Sequence, residues 1–340
     1  MPAKPGAAPA VSVLVPARDA STTIVASLRS VQRQRLTDWE CVVVDDGSVD
    51  DTGAIARAFA EADPRFVLVT TERDGLVAAL NAGLARCRAP LVARMDADDV
   101  MHRDRLAAQV AALAAAPELF AVGTHVRIFP RARLAAGWKA YERWLNGIDS
   151  AAAVRAEAFV ECPVVHPTLM LRRTELAALG YRDAGWPEDY DLVLRALAGG
   201  LAIGVVSRRL LAWRDRPGRL SRTGDAYALP RFAAIKAAFL AEHFLARTDR
   251  YVLWGYGGTG RALRRALLAH GKRPTHVIEV HPGRLGNRIH GAPVVAPEAL
   301  RELPRLPLVV SVARSGPRNL IRRVLADMGF EETRDYVCAA

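Results

Sequence analysis

The chain has 340 residues, enough for two domains with separate cores, and its composition is that of a globular protein, with 51% hydrophobic and 24% charged residues. The net charge is +11, but the basic residues are scattered and no RNA- or DNA-binding motif is present, which argues against nucleic acid as a partner. There is no run of 18 apolar residues and no apolar signal-peptide block, and the four cysteines form no CxxC pair. We therefore expect a cytoplasmic protein that at most lies at the inner face of the membrane.

The predicted elements follow one another in a regular order. Residues 1–10 are rich in Pro, Ala and Gly, which predicts a disordered tail. Over residues 11–115, strand-like apolar runs alternate with segments typical of amphipathic helices, and this alternation predicts an α/β fold with a largely parallel sheet between helices. An amphipathic helix over 228–248 ends the less regular part that follows. A new strand, a glycine-rich turn and a helix then predict a small Rossmann-like α/β domain over 249–340.

Carboxylates crowd behind two of the predicted strands, VVVDDGS and LVARMDADD. In parallel sheets of this kind, ligands bind outside the carboxyl ends of the strands, where these aspartates stand. Asp96 and Asp98 alternate, and two hard oxygen ligands at this spacing can share one divalent cation. A solvated acidic turn would have the same sequence, because D-x-D is a common pattern. Asp104, just before the next predicted helix, is expected to cap it.

The chain resembles the family 2 glycosyltransferases, because five segments that match the family occur in the family's order. They are VSVLVPARDAS, VVVDDGSVDDT, the run from DGLVAAL to MDADD, HPTLMLRR and PEDYDLVLRA, and the segment WRDRPGRLS is a looser match. The resemblance covers about residues 11–225 and implies a domain of the GT-A fold over 11–227. It also implies an inverting, metal-dependent transfer of a sugar from a nucleotide-diphosphate donor, with polysaccharide biosynthesis as the context.

The resemblance implies a donor site at the strand ends. Pro16 would line the nucleotide pocket, and Asp46 would accept a hydrogen bond from a uracil-type imide N–H, so UDP is the expected nucleotide. Asp96 would lie near the ribose and the metal, and Asp98 would be a direct ligand of Mn²⁺ or Mg²⁺. Arg94 would be a phosphate partner or a neighbouring surface charge, and the second interpretation is favoured.

The resemblance also assigns the transfer chemistry. Asp189 in PEDYDL falls on the family's catalytic base, which removes the proton of the acceptor hydroxyl, and Glu188 would orient the acceptor. An acidic first turn is also favoured by the helix dipole alone. His166 would contact the acceptor or the diphosphate, or else be a structural histidine. Arg214 and Ser221 belong to a segment that reaches over the active site in relatives, where an arginine suits the diphosphate.

Three positions depart from this pattern or have no role in it. Arg216 replaces a histidine that is usual two residues after the arginine, and Asp19 stands where relatives often carry Asn. These departures affect the fine contacts and not the reaction class. Asp99 has no assigned role.

The C-terminal domain carries a second candidate site. Gly255, Gly257 and Gly260 follow a predicted strand and open a helix, and Glu279 ends the next strand, as in dinucleotide-type phosphate loops. However, residues 249–340 are too few for a complete two-half Rossmann domain. A folded accessory or dimerising module, with a homodimer as its consequence, is the slightly preferred alternative.

The expected partners are a nucleotide-sugar donor and a glycan or lipid-linked acceptor. A polyprenyl diphosphate or anionic headgroups would meet two groups of arginines, although a solvated basic face is the favoured explanation. The groups are Arg127, Arg131, Arg133 and Arg143, and the arginines within residues 208–222. One alternative function is a nicotinamide-dependent oxidoreductase centred on the glycine-rich turn, but no catalytic His/Lys/Tyr set is evident there. Another is a non-catalytic nucleotide-sugar sensor, against which the intact Asp98 and Asp189 argue.

Overall fold

The computed structural model describes residues 8–340, without the side chains of Arg133, Leu220 and Ser221. Of the tail predicted to be disordered, residues 1–7 lie outside this description. Two compact units make up the chain: the first runs to Val154 and adds Val164–Asp183 and Glu188–Arg219, and the second comprises Arg155–Pro163, Ala184–Pro187 and Leu220–Ala340. No helix within the described part is long and apolar enough to cross a membrane.

The first unit is built on the strands and helices that the sequence pattern predicts. Its strands are β1 (Val11–Ala17), β2 (Trp39–Asp46), β3 (Phe66–Thr71), β4 (Leu91–Arg94), β5 (Val100–Met101), β6 (Leu119–Phe129), β7 (Met170–Arg172) and β8 (Ala202–Arg214). Its helices are α1 (Ile24–Gln32), α2 (Thr52–Ala62), α3 (Leu76–Arg86), α4 (Arg105–Ala115), α5 (Ala136–Leu145), α6 (Ala151–Glu157, which runs into the second unit), α7 (Arg173–Leu179) and α8 (Glu188–Ala198).

These strands form one mixed sheet in the order β3-β2-β1-β4-β7-β6-β8-β5. The four strands β1 to β4 pair in parallel, and β8 is parallel to β6. The short strands β7 and β5 run antiparallel to their neighbours. The predicted α/β class and its mixed sheet between helices are therefore confirmed.

Helices cover both faces of this sheet because successive strand residues point to opposite sides. On one face, Val13 and Val15 of β1 pack in a cluster with Ile24 and Leu28 of α1. On the other face, α3 lies so close to the sheet that a Cβ built on Gly83 would be 2.3 Å from a methyl carbon of Leu14 and 2.6 Å from one of Val44. The central strands are therefore buried on both sides, which explains their continuous apolar sequences.

The second unit contains its own sheet, in agreement with the predicted C-terminal α/β region. Its elements are α9 (Leu220–Thr223), α10 (Leu229–Phe239), β9 (Arg250–Trp254), α11 (Gly258–Ala269), β10 (Arg273–Ile278), β11 (Arg288–Ile289), β12 (Ala292–Val295), β13 (Leu308–Val310), α12 (Ser315–Asp327) and β14 (Tyr336–Cys338). The sheet order is β11-β12-β10-β9-β13-β14. Leu263 of α11 packs with Leu253 of β9, whereas Ile321 of α12 packs with Val252 and Trp254, so the two helices lie on opposite faces.

Because α3 packs closely on the sheet at Gly83, we expect a larger side chain at this position to destabilise the protein. In Gly83→Ala, the new methyl group would overlap the side chains of Leu14 and Val44, and we expect a loss of about 1–3 kcal/mol in the free energy of unfolding. Gly137 in α5 is the matched control, because a Cβ added there would meet no atom within 4 Å. Gly137→Ala should be neutral or stabilise by about 0.5–1 kcal/mol, because alanine favours helix. Urea denaturation measures both, and equal effects of the two exchanges would contradict the packing argument.

Candidate active site

The candidate site lies at one edge of the first sheet. Because β1, β2 and β4 are parallel, their carboxyl ends lie at the same edge. β2 ends at Asp46, and β4 ends at Arg94 immediately before the loop with Asp96 and Asp98. Pro16 near the end of β1 is buried and is in register with Val44 of β2. The predicted donor-site residues are thus carried by three adjacent strand ends.

Asp46 is held firmly in place. Its side chain is buried, and its carboxylate accepts hydrogen bonds from Thr71 Oγ1 (2.9 Å), the Gly75 N–H (3.1 Å) and Arg18 Nη1 (3.2 Å). An ionised carboxylate has about four acceptor positions, so these three donors fix its orientation and leave little more than one position for a ligand.

The loop after β4 brings three carboxylates together. Asp96, Asp98 and Asp99 each offer an oxygen within 4.8 Å of the others. Asp99 Oδ1 accepts the Arg214 N–H (2.7 Å), while the buried Asp99 Oδ2 has no hydrogen-bond partner in the described part of the chain. Burial and the charges of Asp96 and Asp98 raise the pKa of Asp99 well above its usual range, and burial and Asp96 also raise the pKa of Asp98.

This oxygen cluster suits a divalent cation. A buried carboxylate oxygen without a partner is costly, and carboxylate oxygens are the ligands that Mg²⁺ and Mn²⁺ prefer. The donor set and the unpartnered oxygen therefore fit the metal that the sequence led us to expect. Asp99, which had no predicted role, belongs to this cluster, and only the three-dimensional contacts reveal it.

Arg94 is not the surface charge that its sequence position suggested. Its side chain is 3% exposed and forms an ion pair with Asp96. Burial and the charge of Arg94 lower the pKa of His166 well below its usual range, so this imidazole is neutral. His166 Nε2 lies 3.2 Å from Tyr181 Oη, and its Nδ1 lies 3.7 Å from Glu188 Oε1. Neither Arg94 nor Tyr181 carries a sequence motif that would have identified it.

The predicted base is in the first turn of α8. Glu188 is buried beside His166, whereas Asp189 is half-buried, and Asp189 Oδ1 accepts the Tyr190 N–H (2.7 Å). Asp191 has a different environment, because its Oδ2 accepts a 2.6 Å hydrogen bond from Arg195 Nε one turn later. The more exposed carboxylate of this turn is thus Asp189, and the negative charges suit the helix N-terminus.

The end of β8 covers the acidic loop. Arg214 Nε donates to the Asp98 main-chain oxygen (2.6 Å), and its guanidinium lies 4.5 Å from the centre of the Phe129 ring. Arg216 Nε donates to Asp98 Oδ2 (2.9 Å). The residue that replaces the usual histidine is therefore the direct ion-pair partner of Asp98. The side chain of Ser221, predicted to lie in this segment, is outside the described residues.

Two further aspartates have local structural roles. Asp104 stands at the start of α4, but its side chain makes no capping hydrogen bond; it pairs with Arg35 and Arg208, so the predicted cap is wrong. Asp19 has φ +49°, a conformation that Asn and Asp tolerate best, and its Oδ1 accepts the Val49 N–H (2.9 Å). This explains why Asp and Asn can exchange at position 19.

The glycine-rich turn of the second unit is explained largely by packing. Gly255 has φ +90°, and a Cβ on Gly260 would be 2.4 Å from the Gly255 oxygen, whereas Gly257 has open space around it. Glu279 Oε1 accepts the Tyr256 N–H (3.1 Å) and pairs with Arg284 (2.7 Å). Two of the three glycines are thus needed for the turn and the helix contact alone. A nucleotide at this loop stays a prediction.

Comparison with known proteins gives consistent matches for the first unit. Residues 12–178 match the model of the family described as Glycosyl transferase family 2. The succinoglycan biosynthesis protein ExoO of Rhizobium meliloti (strain 1021) is 30% identical over 249 residues, which cover 70% of each protein. The chain spans less than two thirds of the length of several other curated relatives that it matches.

Two solved structures share the fold. S. aureus TarS 1-349 in complex with UDP-GlcNAc has a TM-score of 0.53 at 18% identity, covering 76% of this chain and 72% of that one. The mannosyltransferase PcManGT from Pyrobaculum calidifontis, in complex with GDP-Man and Mn²⁺, has a TM-score of 0.52 at 23% identity, covering 78% and 70%. These likenesses confirm the predicted GT-A type of fold.

Because His166 is neutral in the folded state, we expect the free energy of unfolding to decrease at acid pH. Its pKa in the folded state lies below the unfolded value of about 6.5, so below that pH the unfolded chain binds a proton that the folded chain does not. The contribution of His166 should lower the free energy of unfolding by up to about 1.4 kcal/mol for each pH unit below that value. His166→Gln should reduce that slope in urea denaturation between pH 7 and 5. Tyr181→Phe, which keeps the histidine, should retain it; an unchanged slope in His166→Gln would mean that the folded state binds the proton.

Proposed function

The chain belongs to glycosyl transferase family 2, and from this premise we propose that it is a glycosyltransferase of polysaccharide biosynthesis. It would move a sugar from a nucleotide-diphosphate donor to a glycan or lipid-linked acceptor, with inversion at the anomeric carbon. The observation that carries this proposal is the loop in which Asp96, Asp98 and Asp99 converge within 4.8 Å at the edge that also presents Asp46. A second acidic site, at Asp189, supplies a candidate base.

The proposed donor is a UDP-sugar. Asp46 is a fixed carboxylate that would accept the imide N–H of uracil in its remaining acceptor position. TarS, which shares the fold, was solved with UDP-GlcNAc, whereas PcManGT was solved with GDP-Man. Guanine also carries an N–H donor, so parallel titrations with UDP and GDP decide between the two nucleotides.

The proposed metal ligands are Asp98 together with Asp96 and Asp99. A divalent cation bound there would neutralise charge on the leaving diphosphate. Asp98 Oδ2 is paired with Arg216, so a cation at this oxygen would replace that ion pair. Arg216 would then be available to the diphosphate, which an arginine binds through two parallel N–H donors.

The proposed base is Asp189. A carboxylate there would take the proton of the acceptor hydroxyl while the hydroxyl oxygen attacks the anomeric carbon and the diphosphate leaves from the opposite face. His166 is neutral and buried, so it would serve as a hydrogen-bonding group and not as an acid. Together with Arg94 and Tyr181, it would hold Glu188 in place beside the base.

The metal assignment predicts a specific defect in Asp98→Ala. Calorimetry of UDP binding with and without Mn²⁺ should show that the variant loses the Mn²⁺-dependent part of the affinity, roughly 100-fold, because two or more carboxylates must share the ion. Asp38→Ala is the matched control, since Asp38 is exposed just before the start of β2, at the opposite edge of the sheet. Unchanged Mn²⁺ dependence in Asp98→Ala would overturn the assignment.

The base assignment predicts a different defect in Asp189→Asn. The variant should bind donor with unchanged affinity, because the side chain keeps its size, but should lose about 10²–10⁴-fold in turnover, because the amide cannot take a proton. Donor calorimetry together with single-turnover sugar transfer separates the two effects. Turnover near the wild-type rate would move the role of base to another residue.

A further inference from the structure

A cavity of about 470 Å³ lies on the first unit, away from the acidic loop. Its lining includes His102 next to β5, His125 of β6, and Ser207, Arg208 and Arg209 of β8, and no carboxylate. The contacts of β8 with the acidic loop are made by Arg214, five residues beyond Arg209. At about 3.3 Å per strand residue, this places Arg209 roughly 16 Å from Arg214 along β8.

An irregularity in the sheet creates this basic lining. Thr124 of β6 is in register with Val206 of β8, but the next residue, His125, is in register with Arg209. Ser207 and Arg208 are therefore extra residues of β8 without a counterpart in β6. Bulges of this kind redirect side chains and occur often beside functional sites. Here the two extra residues add one arginine and one hydroxyl beside Arg209 in the cavity lining.

The electrostatics of the cavity favour an anion. The Arg209 side chain is exposed and forms no hydrogen bond or ion pair with any other residue that the structure describes. Arg208 pairs with Asp104 at 3.1 Å, and the same carboxylate is shared with Arg35 at 3.0 Å. Arg208 and Arg35 thus share one carboxylate and Arg209 pairs with none, so these four side chains carry a net charge of +2 without any contribution from the histidines. Of these three arginines, Arg209 is the one without a carboxylate partner among the residues that the structure describes.

We propose that this cavity binds a phosphate group, carried by a lipid headgroup or by a free phosphorylated ligand. Phosphate oxygens match the fork of N–H donors on Arg208 and Arg209, and the Ser207 hydroxyl offers a further donor. A volume of about 470 Å³ holds a small ligand of this kind. The site is separate from sugar transfer and does not depend on the proposed function.

The test uses the full chain without divalent cations, so that the acidic loop repels phosphate. The probes are glycerol phosphate, followed by calorimetry, and vesicles of phosphatidylglycerol or phosphatidylcholine, followed by co-sedimentation. Arg209→Ala should weaken binding at least fivefold. Arg57→Ala, which removes an exposed arginine of α2 outside the cavity lining, should change it less than twofold. Both side chains are exposed, so both variants should fold, and circular dichroism checks this.

The two probes separate the sources of the phosphate. If the wild type binds glycerol phosphate but not vesicles, and Arg209→Ala loses this binding, the ligand is a free phosphorylated molecule. Selective loss of binding to phosphatidylglycerol vesicles identifies a lipid headgroup. If the wild type bound neither probe, or if Arg57→Ala weakened binding as much as Arg209→Ala, the cavity would not be a phosphate site.

Discussion

The acidic loop of the first unit depends on two arginines, the buried Arg94 and the partly exposed Arg216. Three carboxylates within 4.8 Å repel one another, and burial makes this repulsion stronger than it would be in water. Arg94 pairs with Asp96, and Arg216 pairs with Asp98. These ion pairs offset part of the repulsion but leave Asp99 Oδ2 without a hydrogen-bond partner in the described part of the chain. The loop is therefore stable enough to form and still retains one oxygen that a cation would satisfy.

A second buried arginine fixes the strand on which this loop stands. Arg105 is fully buried and donates to the main-chain oxygen of Arg94 (2.8 Å) and to Gln109 Oε1 (2.9 Å). Gln109 in turn donates to the main-chain oxygens of Val122 and Thr168, each at 2.8 Å. Burial lowers the pKa of Arg105 to about 9, against the opposing attraction of Asp99. One network thus ties the end of β4 to β6 and to the turn that carries His166.

The sequence predicted the fold better than it predicted the site. Strands β1 to β4 and their helices follow from hydrophobic periodicity, which depends on neighbours along the chain. Asp46, Asp96 and Asp98 could be placed at strand ends for the same reason. The contacts of Arg216 and Arg214 with the loop join residues about 115 positions apart, which no local pattern reveals. The same limit explains why Arg94 was predicted to be a surface charge.

Strand β8 shows how one element serves two charged environments. Its last residue, Arg214, donates to the loop whose negative charge needs cations. Five residues earlier, Arg209 lies in the lining of the basic cavity, which contains no carboxylate. In a regular strand, residues 209 and 214 would point to opposite faces, because they are an odd number of positions apart. In β8, the bulge and the end of the strand also change which residues each side chain contacts. The arginines of β8 therefore differ in their electrostatic surroundings, although their side chains are the same. A net charge for the whole chain cannot distinguish a cation that neutralises aspartates from one that is left to bind an anion.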